Sequence, residues 1–167
     1  MIYREKNNSN KMKVEFWLIG KTKETWVRAA IDHYLKRCSR YCTIKTNIIP
    51  DSKHTLPVDI RKDETARIVA SLRKGPKGFT VMLDEKGKEL NSVQFADLIS
   101  KQQSAGHSTL RFIIGGAFGV EDLIHQETDL RLSLSSMTFP HQLVRIIFLE
   151  QLYRAFTILR GEGYHHE

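Results

Sequence analysis

The strongest constraint on the fold is an alternation of two periods along the chain. Five short apolar runs, at 13–19, 43–49, 79–84, 110–114 and from 130 to about 135, have the length and composition of buried strands. The stretches between them repeat differently. Residues 23–39 place Trp26, Ala30, Tyr34 and Leu35 on one helical face. Residues 59–72 offer Asp59 as a cap and Ile60, Ala66, Ile68, Val69 and Leu72 as an apolar side, ended by Gly75-Pro76-Lys77-Gly78. Ser92 caps a third helix to 104, carrying Val93, Phe95, Ala96, Leu98 and Ile99. A short helix at 120–126 follows the fourth strand, and Pro140 is placed as the first residue of a last helix reaching Leu159. Strands alternating with helices long enough for a crossover predict an α/β fold, with a mostly parallel sheet covered by helices on both faces.

A chain of 167 residues fits one domain of this kind and can bury a core without a disulfide or metal staple. At 41% hydrophobic and 27% charged residues it has the balance of a folded globular protein rather than a disordered one. No apolar run approaches the ~20 residues of a membrane span, and residues 1–11 lack the apolar stretch of a secretory signal. Those eleven residues are rich in Asn and Lys and have no periodicity. They read as a disordered extension ahead of a single domain at 12–167. Cys38 and Cys42 make no disulfide framework, and with His33 nearby they still lack a second ligand pair for zinc, so no metal and a cytoplasmic location are expected. The net charge of +7 favours phosphate-rich partners, although many basic proteins bind no nucleic acid. Discounting Arg4, Lys6, Lys11 and Glu5 leaves the body basic.

Two segments stand out as places for chemistry. Gly115-Gly116-Ala117-Phe118-Gly119 follows the fourth strand, but its spacing is neither that of a dinucleotide-binding turn nor that of a Walker loop. Taken alone, such a loop is more often a tight turn packed against a strand than a ligand site. Leu132 to Pro140 leaves the fifth strand through Ser133, Ser135, Ser136 and Thr138. Ligands of open parallel sheets sit beyond the carboxyl ends of the strands, and Leu83, Gly115 and Leu134 fall at that same edge. The last helix is apolar around almost its whole circumference, from Leu143 to Ile158, a surplus that predicts a homodimer. No G-x-S-x-G, H-E-x-x-H or EF-hand loop is present.

The runs Phe112–Gly119, Leu132–Arg145, Glu150–Phe156 and Arg160–His165, with 17–21 and 83–88, resemble one family over the chain from Met12 onward. It is ribosomal RNA large subunit methyltransferase H, a small member of the SPOUT class. The resemblance implies an α/β domain with a C-terminal trefoil knot that holds S-adenosylmethionine. It carries cofactor contacts onto Leu83, Gly115, Leu134, Ser135, Ser136, Met137, Thr138 and Phe139. It implies methylation at N3 of a pseudouridine in 23S rRNA, within the stem-loop that bridges to the small subunit, on assembled ribosomes and by a homodimer. The family often has a larger residue than Leu134, and Ala117-Phe118 varies within it.

Loss of the N3 proton calls for a base or a nearby cation. His141 and Arg145 lie one helical turn apart beside the cofactor loop, and Tyr164 and His165 lie on a tail able to reach a partner subunit. Simpler roles stand beside these: His141 capping its helix, Arg145 holding a phosphate, Tyr164 stacking on a base. Two rival readings remain, a non-enzymatic ribosome-binding factor and a nicotinamide-dependent dehydrogenase. The glycine spacing speaks against the second.

Overall fold

The computed structural model of the chain describes residues 11–166, so all but the last residue of the proposed extension lies outside it. The first strand shows how the sheet comes to have two buried faces. In β1 (Lys13–Ile19), Val14, Phe16 and Leu18 point to one side, and Glu15, Trp17 and Ile19 to the other, and all six are buried. β1 pairs in parallel with β2 (Thr43–Ile49), and on its other side with β4 (Thr109–Ile114). β3 (Phe79–Glu89) lies beyond β4, and β5 (Leu130–Ser133) closes the edge, giving the all-parallel order β2-β1-β4-β3-β5. Three helices, α1 (Thr25–Cys38), α3 (Ser92–Ser104) and α4 (His141–Leu159), cover the first face. Phe148 of α4 sits at their centre, its ring 5.1 Å from Phe16 and 4.8 Å from Phe112. α2 (Pro57–Lys74) and a 3-10 turn at Asp122–Gln126 cover the second face through Ile68, Val69 and Ile124.

Several boundaries differ from the sequence reading, each for a local reason. α2 begins two residues before Asp59, because Pro57 fits the first helical position. The cap of α3 is Asn91, whose side chain accepts the Gln94 amide while Gln94 returns a bond to the Asn91 amide. Pro140 is itself the cap of α4, with extended ψ of 134°. The stretch 120–126 shortens to the 3-10 turn, and β5 ends at Ser133. β3 continues five residues past Asp84. It leaves β5 after Leu83↔Leu132, bulges through 84–87, and returns at Lys88↔Leu132. Gly87 permits this, since a β-carbon there would lie 2.6 Å from the Leu132 carbonyl carbon.

No residue from His141 to Ile158 is exposed, so the apolar circumference of α4 is largely covered within the chain. That surplus therefore does not by itself call for a second subunit. Half-buried Leu143, Ile146 and Ile147 remain along its first half.

The second face also buries charge. Arg111 donates from Nε to Glu15 Oε2 at 2.9 Å, from Nη1 to Thr80 Oγ1 at 3.1 Å and from Nη2 to the Pro76 carbonyl at 3.0 Å. Trp17 Nε1 donates to the same Glu15 oxygen, and Lys13 pairs with the other. Burial alone raises the proton affinity of Glu15, but the bonds from Lys13 and Arg111 outweigh it and hold its carboxyl below the usual range. Arg111→Ala is expected to cost about 3–5 kcal/mol by urea denaturation, because it strands a buried carboxylate. The contribution of Glu15 to stability is present above the ordinary glutamate pKa and lost as pH falls through its depressed folded value. The two buried thiols behave oppositely: burial pushes both Cys38 and Cys42 up to about 12. Neither is expected to react with a disulfide reagent at pH 8 until the protein is unfolded.

Candidate active site

The carboxyl ends of β4, β3 and β5 lie side by side, and the loops leaving them enclose a cleft of about 700 Å³. That volume suits a small-molecule ligand. The wall from β3 is the 84–87 bulge. The Asp84 carboxylate fixes it by accepting the Lys86 amide at 2.9 Å and pairing with Arg131 of β5 at 2.9 Å. The wall from β4 is the glycine turn, where the Gly119 amide donates to the Gly116 carbonyl. The third wall is the loop after β5, shaped by its own hydroxyls: Ser133 donates to the Ser135 carbonyl, and Ser135 Oγ accepts the Met137 amide. Thr138 donates across the cleft to Glu85 at 3.1 Å. Leu83, Gly115, Leu134, Ser135, Met137, Thr138 and Phe139 all line this cleft. Ser136 is exposed and outside the lining.

His141, the first residue of α4, also faces the cleft and is half-buried. Its ring is desolvated by burial and repelled by Arg145 of its own helix and Lys23 after β1, while Asp51 after β2 pulls the other way. The net effect lowers its pKa and so favours the neutral imidazole, whose Nε2 lies 3.1 Å from the Gln142 side-chain amide.

Residues 12–165 match a family model described as "Predicted SPOUT methyltransferase". Among curated proteins, the chain is 38% identical over 158 residues to "Ribosomal RNA large subunit methyltransferase H" of Bacteroides thetaiotaomicron, covering 93% of this chain and 100% of that one. Proteins of the same name from Clostridium botulinum and Geotalea daltonii are 42% and 41% identical, over 92% and 93% of this chain and 99% and 100% of theirs. The chain belongs to this SPOUT methyltransferase family. A solved structure titled as the SpoU methyltransferase AviRb of Streptomyces viridochromogenes with AdoMet is a distant likeness, at 14% identity and TM-score 0.42, over 91% of this chain and 62% of that one.

Within the chain of this SPOUT methyltransferase the four acid–base candidates do not meet. Arg145 is fully buried beneath the cleft, where its guanidinium donates to the Ile19 carbonyl and, at 2.9 Å, to Thr22 Oγ1, tying α4 to the end of β1. Tyr164 and His165 pack on the far end of α4. The Tyr164 hydroxyl donates to Glu150 at 3.2 Å, its ring meets Tyr153 edge-on at 4.8 Å, and His165 Nδ1 lies 3.5 Å from Arg154. Burial, then the contacts with Tyr34 and Glu150, push the Tyr164 phenol up to about 12. Arg154 is thirteen residues along the helix from His141, about 20 Å at the helical rise.

The sequence reading did not single out Arg61, Asp84, Glu85, Glu121 or Arg131 as site residues, although all line the cleft. Asp84 had the one visible signal, as the polar residue next to Leu83 at a strand end. The balance of charges around His141 is open to direct measurement. By NMR titration its pKa is expected below the usual histidine range, lower still in Asp51→Asn, and higher in Lys23→Ala.

Proposed function

We propose that this methyltransferase uses S-adenosylmethionine to methylate N3 of a pseudouridine in 23S rRNA, in the stem-loop that bridges to the small subunit, on assembled ribosomes. The observation that carries this reading is the convergence of Leu83, Gly115 and the 134–139 loop on one cleft, in a chain about 40% identical to proteins named for large-subunit rRNA methylation. The cleft fits the cofactor in kind as well as size. Leu83, Ile114, Leu132 and Leu134 offer apolar surface, while the backbone of the glycine turn and of the serine loop offers polar groups at the strand ends. Leu83, Gly115, Leu134, Ser135, Met137, Thr138 and Phe139 would hold it, with Ser136 exposed in the same loop. When bound, the cofactor supplies an electrophilic methyl group on a sulfonium sulfur.

The chain's own work is alignment and proton removal. His141, at the cleft, accepts the N3 proton, which leaves the N–H bonding pair on that nitrogen as the nucleophile toward the methyl group, whose carbon–sulfur bonding pair would pass to the sulfur. Arg145 holds the start of α4, and so His141, against the end of β1. The tail serves a partner's cleft: Tyr164 and His165 of one subunit of a homodimer complete the site of the other, since their contacts Glu150 and Arg154 lie about 13 and about 20 Å along the helix from His141. The basic surface steers the protein to RNA. Among the described residues no helix is long and apolar enough to cross a membrane, and the proposed substrate places the enzyme in the cytoplasm.

Transfer of labelled methyl from S-adenosylmethionine to ribosomes lacking the modification, with mass spectrometry of the nucleosides, is expected to place the label on N3 of a pseudouridine. Cofactor binding without transfer to any ribosomal RNA points instead to a ribosome-binding factor. Gly115→Val is expected to raise the cofactor Kd by about tenfold or more, since even a β-carbon there meets Val120 Cγ1 at 3.0 Å and Met82 Cε at 3.5 Å and pushes the wall of the cleft out of place, while circular dichroism stays that of the folded protein. Mixing Gly115→Val with a Tyr164→Ala/His165→Ala variant, each impaired alone at limiting cofactor, is expected to raise activity above that of either if the tail crosses between subunits.

A further inference from the structure

The glycine turn and Glu121 just beyond it are gripped from behind by three residues on one stretch of α2. Arg61 pairs with the Glu121 carboxylate, and Thr65 Oγ1 accepts the Glu121 amide at 2.9 Å. Between them sits Glu64, which has no place in the mechanism above. It is only 4% exposed. Its Oε1 accepts the Ser52 amide at 3.2 Å, from the loop after β2. Its Oε2 is buried and has no hydrogen-bond partner among the described residues.

That oxygen lies against Gly116. A β-carbon on Gly116 would overlap Oε2 and lie 3.0 Å from Glu64 Cδ, so the carboxylate occupies the space that the missing side chain leaves. Any other residue at 116 has to displace either the turn or the carboxylate. The arrangement is costly for the fold, because a buried carboxylate oxygen without a partner forfeits its hydration. An apolar side chain at 64 avoids that cost, and an amide lessens it by removing the charge. Departures of this kind from what stability favours occur where function needs them.

We infer that Glu64 is a positioning residue for methyl transfer: wedged beneath Gly116 and tied to Ser52, it fixes the 115–119 turn at the height the cofactor requires. Burial, with the neighbouring charges of Asp51 and Asp63, raises the proton affinity of this carboxyl, and only the Ser52 amide and Arg67 oppose them. Folding therefore disfavours its ionised form, which matches the cost argued above. The inference deepens the proposed function and rests on the glycine turn being a cofactor wall.

The test uses the full chain, titrated calorimetrically with S-adenosylmethionine, with amide hydrogen exchange and thermal melting of the cofactor-free protein alongside. Glu64→Ala is expected to raise the cofactor Kd about tenfold and to speed exchange of the 116–121 amides. Glu64→Gln keeps the acceptor for Ser52 and is expected to melt no lower than the parent, separating the effect on the turn from loss of fold. Gly116→Ala is expected to weaken binding in the parent and much less in the Glu64→Ala background, where the added methyl has room. Parental Kd and exchange in both Glu64 variants, or strictly additive effects of the 64 and 116 changes, overturns the inference. If the parent protein itself binds no S-adenosylmethionine, the proposed cofactor fails. The exchange rates and the melting of the double variant still show whether Glu64 sets the turn.

Discussion

β5 has four residues and one neighbour, so the loop it feeds is placed by its pairing with β3 alone. That pairing is made twice at one residue. Leu132 is partner first to Leu83 and then to Lys88, and the four residues between them are thrown out over the strand ends. The bulge is thus both the clasp that holds the edge strand and the outer wall of the cleft. Its two acidic side chains work in opposite directions. Asp84 reaches back to Arg131 in β5, and Glu85 reaches forward to Thr138 in the loop beyond. An edge strand this short gains little from its own backbone bonds, and these cross-links between bulge, strand and loop supply the rest.

The two faces of the sheet divide the labour of the site. The face under α1, α3 and α4 is an apolar core centred on Phe148, and it fixes α4 so that His141 stands at the cleft while Arg145 anchors beneath it. The face under α2 is more polar. Arg111, Glu15 and Trp17 make a satisfied network toward the amino ends of the strands, whereas Glu64 sits toward the carboxyl ends with an oxygen left over. Satisfied buried charge at one end and unsatisfied charge at the other is the distribution expected if only the second end carries a ligand-binding turn.

The strand and helix pattern was legible because period and composition report burial directly: every strand of the sheet was readable from its apolar run, and each long helix from its apolar face. The three strand ends that meet at the cleft followed from parallel order alone. The bulge was not legible. Residues 84–89 have the composition of a turn, and only their contact with the backbone of β5 makes them strand. Cap positions slipped because Ser92 and Asn91 are both good caps, and the choice is made by which side chain reaches the Gln94 amide. Glu64 was invisible for a deeper reason. It lies in a charged helical run, Arg61 to Glu64, whose ordinary reading is a solvated face. Its burial depends on a glycine fifty-two residues away in sequence.

α4 joins these observations. Its start carries His141 into the cleft with Arg145 buried one turn on, and Glu150 and Arg154 further along hold Tyr164 and His165 of the tail that follows. A single helix cannot bring its two ends together, and the aromatic packing of Tyr164 against Tyr153 keeps the tail at the far one. If all four side chains serve one reaction, two copies of the helix must run so that the end of one meets the start of the other. A two-fold axis does this for both sites at once, because the same patch serves each subunit. The half-buried Leu143, Ile146 and Ile147 are then the apolar surface along which the helices meet. On the proposed reaction, it is the separation of functional groups along α4 that calls for a homodimer, and not the amount of its apolar surface, most of which the chain covers itself.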